Sequence, residues 1–192
     1  MAFYLEAEMR ERGRRVLGGS RVTAAEVLHE VAARTFDTEV FDVFLSHSYS
    51  DADAILGIYN LLSAQGVSVY VDWIVDSQFN RTHVNGATAA ALRQRMKQCR
   101  SLIYTVSASS QSSAWMPWEL GYFDGHGGAG RVSIMPLVGR DEPGYPGQEY
   151  LDLYPTIEEL PLRDVTGRLV TAAVRPDGQR SVTLKNFTQG CL

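Results

Sequence analysis

Four short apolar runs, separated by segments with helical periodicity, limit the folds that this chain can adopt. The runs are residues 40–46, 67–72, 102–107 and 132–138. Each is compatible with a strand that is buried on both faces. Strands that alternate with helices form a parallel sheet with right-handed crossovers and helices on both faces. The sequence therefore predicts an α/β fold around a parallel sheet.

The segments between the runs carry helix signals. After the first run, apolar residues recur at helical spacing up to Leu62, and Asp51 or Asp53 can cap the helix that they predict. Gly66 is placed to end this helix. A further helix, rich in Ala, Arg and Gln, is expected over residues 87–99. These signals support the alternation of strand and helix.

Two helices are expected before the first strand. Residues 3–17 can form a charged helix that ends at the glycines that follow it. Thr23 and Glu26 then stand at the spacing of a capping box, ahead of an apolar stripe. We expect these helices to form an N-terminal helical arm or a packing accessory of the main fold.

The C-terminal part is less regular. Residues 141–155 are rich in Pro and Gly and indicate a loop with at most one turn of helix. A strand is expected over 169–174 and a turn over 176–178, whereas 181–188 can be either a strand or a short helix. The expected organisation is an N-terminal helical extension over 1–38, a main domain over 39–165 and a C-terminal extension, packing on that domain, over 166–192.

Composition excludes several classes of function. The chain has 192 residues, of which 45% are hydrophobic and 21% charged, with a net charge of −4. A chain of this kind can bury one good core, and it has no overall field that attracts nucleic acid or an anionic membrane. Its 2 cysteines and 4 scattered histidines predict neither a disulfide framework nor a metal site. We expect a cytoplasmic protein that binds neither nucleic acid nor membranes.

A glycine-rich segment over 125–130 matches the pattern G-x-G-x-x-G. A dinucleotide-binding loop of this pattern needs a strand before it and a helix after it, so that backbone N–H groups face the pyrophosphate. Here the predicted order is a helix followed by a strand. The segment is therefore interpreted as a helix-to-strand turn.

Two polar segments follow predicted strands and are candidates for a ligand site. Residues 46–48 (Ser-His-Ser) follow the first strand, and Glu119 follows the third strand at the start of a helix that Pro117 can begin. In an open α/β sheet, ligands lie outside the carboxyl ends of the strands. A carboxylate in a first helical turn is also favoured by the helix dipole, by about 0.3–1 kcal/mol. The residues alone leave a structural and a functional interpretation open for both segments.

In chain order, these features resemble the Toll/interleukin-1 receptor (TIR) domain family. The resemblance runs through the first strand and loop (41–48), the second strand (66–72) and the spacing of Trp115 from Glu119. It implies a flavodoxin-like fold with a parallel sheet of about five strands. There are two departures. Met116 stands where the family often has cysteine, and residues 74–86, the implied BB loop, lack a close match.

The resemblance also implies an activity. Trp115 and Glu119 match the signature of TIR domains that cleave NAD at the nicotinamide–ribose bond, giving ADP-ribose or a cyclic ADP-ribose-like signal. Glu119 is the implied catalytic residue. NAD is then a substrate, with no resident cofactor and no metal. The positions implied to contact it are Ser46, His47, Phe44, Asp72 and Trp115.

The resemblance extends to biology and leaves two alternatives. Compact TIR proteins with a short helical arm are similar to bacterial antiphage sensors of the Thoeris type, which signal to a separate effector protein. Self-association through TIR surfaces is expected. One alternative is a non-enzymatic TIR scaffold. The other is an enzyme similar to nucleoside deoxyribosyltransferases, in which Glu119 would be a covalent nucleophile.

Overall fold

The computed structural model describes residues 3–34, 39–72, 86–141, 144–145, 147–161 and 169–191. Within these ranges the helices are α1 (Glu6–Leu17), α2 (Ala24–Ala33), α3 (Ala52–Ser63), α4 (Gly86–Lys97), α5 (Met116–Gly127) and α6 (Leu184–Thr188). The strands are β1 (Tyr4–Leu5), β2 (Phe41–Ser46), β3 (Val69–Val71), β4 (Cys99–Val106), β5 (Val132–Val138), β6 (Thr156–Pro161), β7 (Leu169–Val174) and β8 (Ser181–Thr183).

The described strands form one sheet in the order β3-β2-β4-β5-β6-β7-β8. Neighbours from β3 to β6 pair in parallel, whereas β7 and β8 extend the sheet in the antiparallel sense. Counted without β1, the parallel strands follow the order 2-1-3-4-5 that is typical of flavodoxin-like folds. The predicted α/β fold with a parallel sheet of about five strands is therefore confirmed.

Each face of the sheet has its own apolar core. Val43 and Leu45 point into the cluster formed with α1, α2 and α3, whereas Phe44 and Tyr104 point into the cluster formed with α4 and α5. This alternation along β2 follows from the two-residue period of a strand. The prediction of helices on both faces is confirmed, and the mainly apolar character of β2 and β5 follows from burial on both sides.

Helix α1 lies in backbone contact with α3. A Cβ atom added to Gly13 would lie 2.0 Å from the carbonyl oxygen of Asp53. One added to Gly57 would lie 2.0 Å from the carbonyl oxygen of Met9. Contact this close requires glycine on both helices. The expected N-terminal arm is therefore packed tightly on the main fold.

Strand β1 joins the N-terminal segment to the sheet. Tyr4 pairs with Leu137 and Leu5 with Val138, so β1 runs parallel to β5. The Tyr4 hydroxyl also lies 2.7 Å from the hydroxyl oxygen of Thr171 on β7. The ends of the described chain thus meet at one region of the sheet.

Several local predictions are confirmed. Thr23 and Glu26 form the predicted capping box at the start of α2. Residues 125–130 form the predicted helix-to-strand turn, in which α5 ends at Gly127 and Gly128 adopts a φ of 84°. The segment 181–188, for which strand and helix both remained open, contains β8 and then α6.

Some predictions fall on other parts of the chain. The predicted domain junctions, at 38/39 and 165/166, involve residues 35–38 and 162–168, which lie outside the described ranges. The division into three parts therefore stays a prediction. Among the described residues, no helix is both long enough and apolar enough to cross a membrane.

Stability should decline in alkali because buried tyrosines keep their protons in the folded chain. Burial, followed by the Asp124 hydrogen bond, raises the pKa of Tyr154 to about 12, and burial also raises the pKa of Tyr4 and Tyr70. The unfolded chain loses these protons near the ordinary pKa of about 10, so the folded state binds more protons and its stability falls above that pH. Urea unfolding between about pH 8 and about pH 11 measures how steeply the free energy of unfolding falls with pH, which is the slope of interest. Tyr154→Phe should make it shallower, whereas Tyr49→Phe, at an exposed position, should not.

Candidate functional site

The topological switch point of the sheet lies between β2 and β4. After β2 the chain enters α3, on one face, and after β4 it enters α5, on the other face. Because the two connections separate, a crevice opens at the carboxyl ends of these neighbouring strands, where flavodoxin-like folds bind their ligands. The residues next to Ser46 and Val106, which end β2 and β4, are the candidates for a site.

A buried hydrogen bond joins the two sides of this crevice. Ser46 Oγ donates to Glu119 Oε2 at 2.6 Å, and the residues are 1% and 2% exposed. The length is typical of a hydroxyl that donates to an ionised carboxylate. Pro117 stands at the start of α5, which places Glu119 in the first turn, where the helix dipole favours a negative charge. Glu119 thus occupies a favourable helix-start position and also faces the switch point.

Further polar side chains lie at the same level of the sheet. Ser46 pairs directly with Tyr104 on β4, and Leu45 pairs with Val71, so that Asp72 follows at the level of Ser46. Burial is the main cause of a raised pKa for Tyr104, and the nearby Glu119 adds to it. Tyr104 therefore keeps its phenolic proton beside the carboxylate. The sequence did not single out Tyr104, although a tyrosine near the carboxyl end of a buried strand was a usable signal.

Two further residues that are predicted to contact the substrate, His47 and Phe44, are buried. His47 is buried, and its Nδ1 lies 2.8 Å from the carbonyl oxygen of Leu45. A carbonyl can only accept, so we assign the ring proton to Nδ1. Phe44 is fully buried, with its ring stacked on Tyr70 at a centroid distance of 5.5 Å. Their predicted contacts with the substrate stay predictions.

Trp115 directly precedes α5, and its backbone carbonyl accepts the N–H of Glu119 at 2.8 Å. It is 3% exposed and packs edge-on against Trp118, with ring centroids 5.5 Å apart. Within the part of the chain that the structure describes, its indole N–H has no hydrogen-bond acceptor. A buried donor without a partner costs about 1–3 kcal/mol. An acceptor on a bound ligand would remove this cost, in keeping with the predicted role of Trp115.

Asp51 connects the loops that follow β2 and β4. It is 2% exposed and accepts hydrogen bonds from Ser107 Oγ at 2.7 Å and Ser109 Oγ at 2.6 Å. Asp51 does hold the N-cap position of α3, but its side chain makes no capping bond, so the predicted cap is wrong. The serines are 56 and 58 residues away in sequence, which local patterns could not reveal.

The two larger cavities that are lined by described residues lie away from this site. A cavity of about 350 Å³ is lined by Phe3, Tyr154 and Glu158, and another of about 300 Å³ by Arg100 and Thr188. Neither is lined by Glu119 or Ser46. In the described ranges, no group of His, Cys, Asp or Glu side chains could hold a metal ion. The predicted BB loop (74–86) lies outside these ranges except for its last residue.

The fold and the site define a flavodoxin-like α/β protein with a buried glutamate at its switch point. Residues 43–165 match the family model described as TIR domain, and the chain belongs to this family. The predicted TIR resemblance is confirmed. The match leaves out α1 and α2, which come before it, and β7 to α6, which follow it.

Two relatives place the chain more closely within the family. It is 47% identical over 136 residues to "Probable 3' cyclic ADP-D-ribose synthase ThsB'" of Bacillus cereus (strain MSX-D12), covering 70% of this chain and 69% of that protein. It is 31% identical over 103 residues to "Putative cyclic ADP-D-ribose synthase TIR2" of Cytobacillus dafuensis, covering 53% of this chain and 27% of that protein.

Proposed function

We propose that this chain is a TIR-domain enzyme that breaks the nicotinamide–ribose bond of NAD and releases nicotinamide and a cyclic ADP-ribose. The observation that carries the proposal is the buried Ser46–Glu119 pair at the switch point of a TIR sheet. Both relatives are named as cyclic ADP-D-ribose synthases, which agrees with the NAD-cleaving activity that the sequence predicts.

The chemistry requires little more than one carboxylate. The nicotinamide of NAD is already cationic, so it leaves with the bonding electron pair and needs no general acid. The ribose then develops oxocarbenium-like positive charge, which the Glu119 carboxylate is placed to stabilise. Ser46 holds this carboxylate at 2.6 Å and limits its orientations. Removal of the charge, rather than of a proton donor, should therefore be the most damaging change.

A cyclic product requires that water does not capture the ribosyl cation first. Glu119, Ser46 and Trp115 are each at most 3% exposed, so the described part of the site is closed to bulk solvent. A nucleophile of the same ADP-ribose moiety then forms the new bond at the anomeric carbon and loses its proton, which the Glu119 carboxylate can accept. Exclusion of water from a site prevents such side reactions. The low exposure of these side chains is compatible with cyclisation, and the names of the two relatives favour it over hydrolysis.

Ser46→Ala should lower NAD turnover by about 10- to 100-fold without unfolding the chain, because a hydrogen bond to a charged group contributes about 1.5–3 kcal/mol. The measurement is the rate of nicotinamide release by chromatography. Ser133→Ala is the matched control, since Ser133 is also a fully buried serine but its Oγ makes a long contact of 3.5 Å with Leu102. An unchanged rate of nicotinamide release in Ser46→Ala would show that the Ser46 hydroxyl does not contribute to NAD cleavage.

Product analysis tests the function as a whole. Purified full chain is incubated with NAD, and the products are separated and weighed by mass spectrometry. A cyclic product is lighter than ADP-ribose by one water molecule. If nicotinamide and linear ADP-ribose are the only products, the chain is an NAD hydrolase and not a cyclic ADP-ribose synthase. Self-assembly without NAD turnover would favour the scaffold alternative. A glycosyl adduct on Glu119, formed from a deoxynucleoside, would favour the deoxyribosyltransferase alternative.

The cellular role is part of the same proposal. A diffusible cyclic nucleotide acts through a protein that binds it, so we propose a separate effector that senses the product in antiphage defence. Self-association through TIR surfaces and a cytoplasmic location stay predictions from the sequence, as does the absence of a resident cofactor. Cross-linking of the full chain with and without NAD would measure the self-association.

A further inference from the structure

Helix α1 contacts the loop region beside the candidate site through Arg10. The Arg10 guanidinium donates from Nη2 to Asp51 Oδ1 at 3.0 Å, and it also donates from Nε to Glu6 Oε1 at 2.8 Å, with Nη2 2.7 Å from the same Glu6 oxygen. Asp51 is 2% exposed, whereas the Arg10 side chain is 30% exposed. Burial opposes the charged guanidinium, but the bonds to Glu6 and Asp51 outweigh it and raise the pKa of Arg10.

Asp51 also binds the segment that leads to Glu119. The hydroxyls of Ser107 and Ser109 both donate to Asp51 Oδ2. The loop then turns through bonds between Ser107 and Ser110, and Ser113 Oγ accepts the backbone N–H of Met116, the first residue of α5. Glu119 lies in the first turn of that helix.

Asp51 also ends the loop that begins at Ser46. The short turn Tyr49–Asp51 is separated from the end of β2 by two residues, and α3 starts at the residue after Asp51. The loop that follows Ser46 and the loop that leads into the helix of Glu119 therefore meet at the Asp51 carboxylate. A shift of this carboxylate would change the position of one loop relative to the other.

A buried carboxylate keeps its place only when its charge is compensated. An ionised group without a partner in a protein interior takes up a proton or moves toward water, and either change disrupts its hydrogen bonds. Arg10 supplies the positive charge that the structure brings to Asp51. Its loss would weaken the hold of Asp51 on Ser107 and Ser109, and so loosen the loop before α5.

We propose that Arg10 is a positioning residue for NAD cleavage, acting through Asp51 on the loop of residues 107–113 and thereby on Glu119. The proposal rests on the proposed function for its catalytic consequence, but the effect on the loop is independent of it. It gives helix α1, which lies outside the TIR match at 43–165, an indirect part in the site through Asp51.

Hydrogen exchange tests the positioning role without any activity. In Arg10→Ala, the backbone amides of residues 107–113 should exchange at least about threefold faster than in the wild type, because local opening becomes easier. Arg14→Ala is the matched control. Arg14 lies on the same helix and pairs with Asp53 on α3 at 3.4 Å, but its side chain is 60% exposed. Equal exchange in both variants, or no change in either, overturns the proposal.

Steady-state kinetics tests the consequence for the site. If NAD binds only the ordered loop, KM rises by the same factor by which the ordered fraction falls, and kcat at saturation stays nearly unchanged. A purely structural role would instead reduce the amount of active protein, which lowers kcat at constant KM. An unchanged KM in Arg10→Ala therefore overturns the proposal. If the wild type releases no nicotinamide, the proposed function fails, and hydrogen exchange alone decides the role of Arg10.

A second variant covers the case in which Arg10→Ala does not fold. Arg10→Gln keeps part of the side chain over the α1–α3 contact but removes the positive charge that lies beside the Asp51 carboxylate. It should show the same faster exchange in 107–113 and the same rise in KM. Wild-type values for both measurements in a folded Arg10→Gln protein would overturn the proposal.

Discussion

Glu119→Gln is expected to reduce the rate of nicotinamide release from NAD by about 10²–10³-fold, the usual loss when one electrostatic stabiliser of a transition state is removed. Glutamine has nearly the same volume and can still accept the Ser46 hydrogen bond, so the shape of the site is kept. What disappears is the negative charge beside the forming ribosyl cation. Glu119→Ala should be at least as damaging, because it also leaves the Ser46 hydroxyl without its acceptor.

The control for this prediction is Glu30→Gln. Glu30 is exposed on α2, where it pairs with Arg34 on the surface, so its loss should change neither turnover nor stability. All variants are compared at equal concentration of folded protein, measured by circular dichroism and thermal unfolding. A Glu119→Gln protein that turns NAD over at the wild-type rate would show that the charge of Glu119 has no part in the chemistry.

The elements of the main fold could be predicted because their signals are local. The apolar runs of β2, β4 and β5 and the capping box of α2 are each complete within a few residues. The parallel topology followed from their order along the chain. The position of Glu119 also followed, since the carboxyl end of a predicted strand fixes where a ligand crevice opens.

The missed features all depend on contacts between distant parts of the chain. Strand β1 is only two residues long, and its pairing with β5 joins Tyr4 to Leu137. Asp51 has the position of a helix cap, and only the fold brings Arg10 and Ser107 to its carboxylate. Local propensity cannot distinguish a capping aspartate from one that binds across the structure, because both occupy the same backbone position.

Gly57→Ala is the second change with a large expected effect, and it should destabilise the chain by about 3 kcal/mol or more, at the upper end for overpacking. An alanine Cβ at this position would lie 2.0 Å from the Met9 carbonyl oxygen and 3.2 Å from the Gly13 backbone nitrogen. Both are backbone atoms, so no side chain can rotate away. Helix α1 must instead move off α3 and expose the buried Met9.

The sign of the change in unfolding free energy distinguishes the backbone clash at Gly57 from the ordinary effect of helix propensity. Alanine in place of glycine normally stabilises a helix by about 0.4–1 kcal/mol. Gly125→Ala, near the end of α5, should show that ordinary gain or no change, because a Cβ there would have no neighbour within 4 Å. Urea unfolding at equal protein concentration measures both variants. If Gly57→Ala were as stable as the wild type, α1 would have to lie further from α3, and the Arg10 contact with Asp51 would then be lost as well.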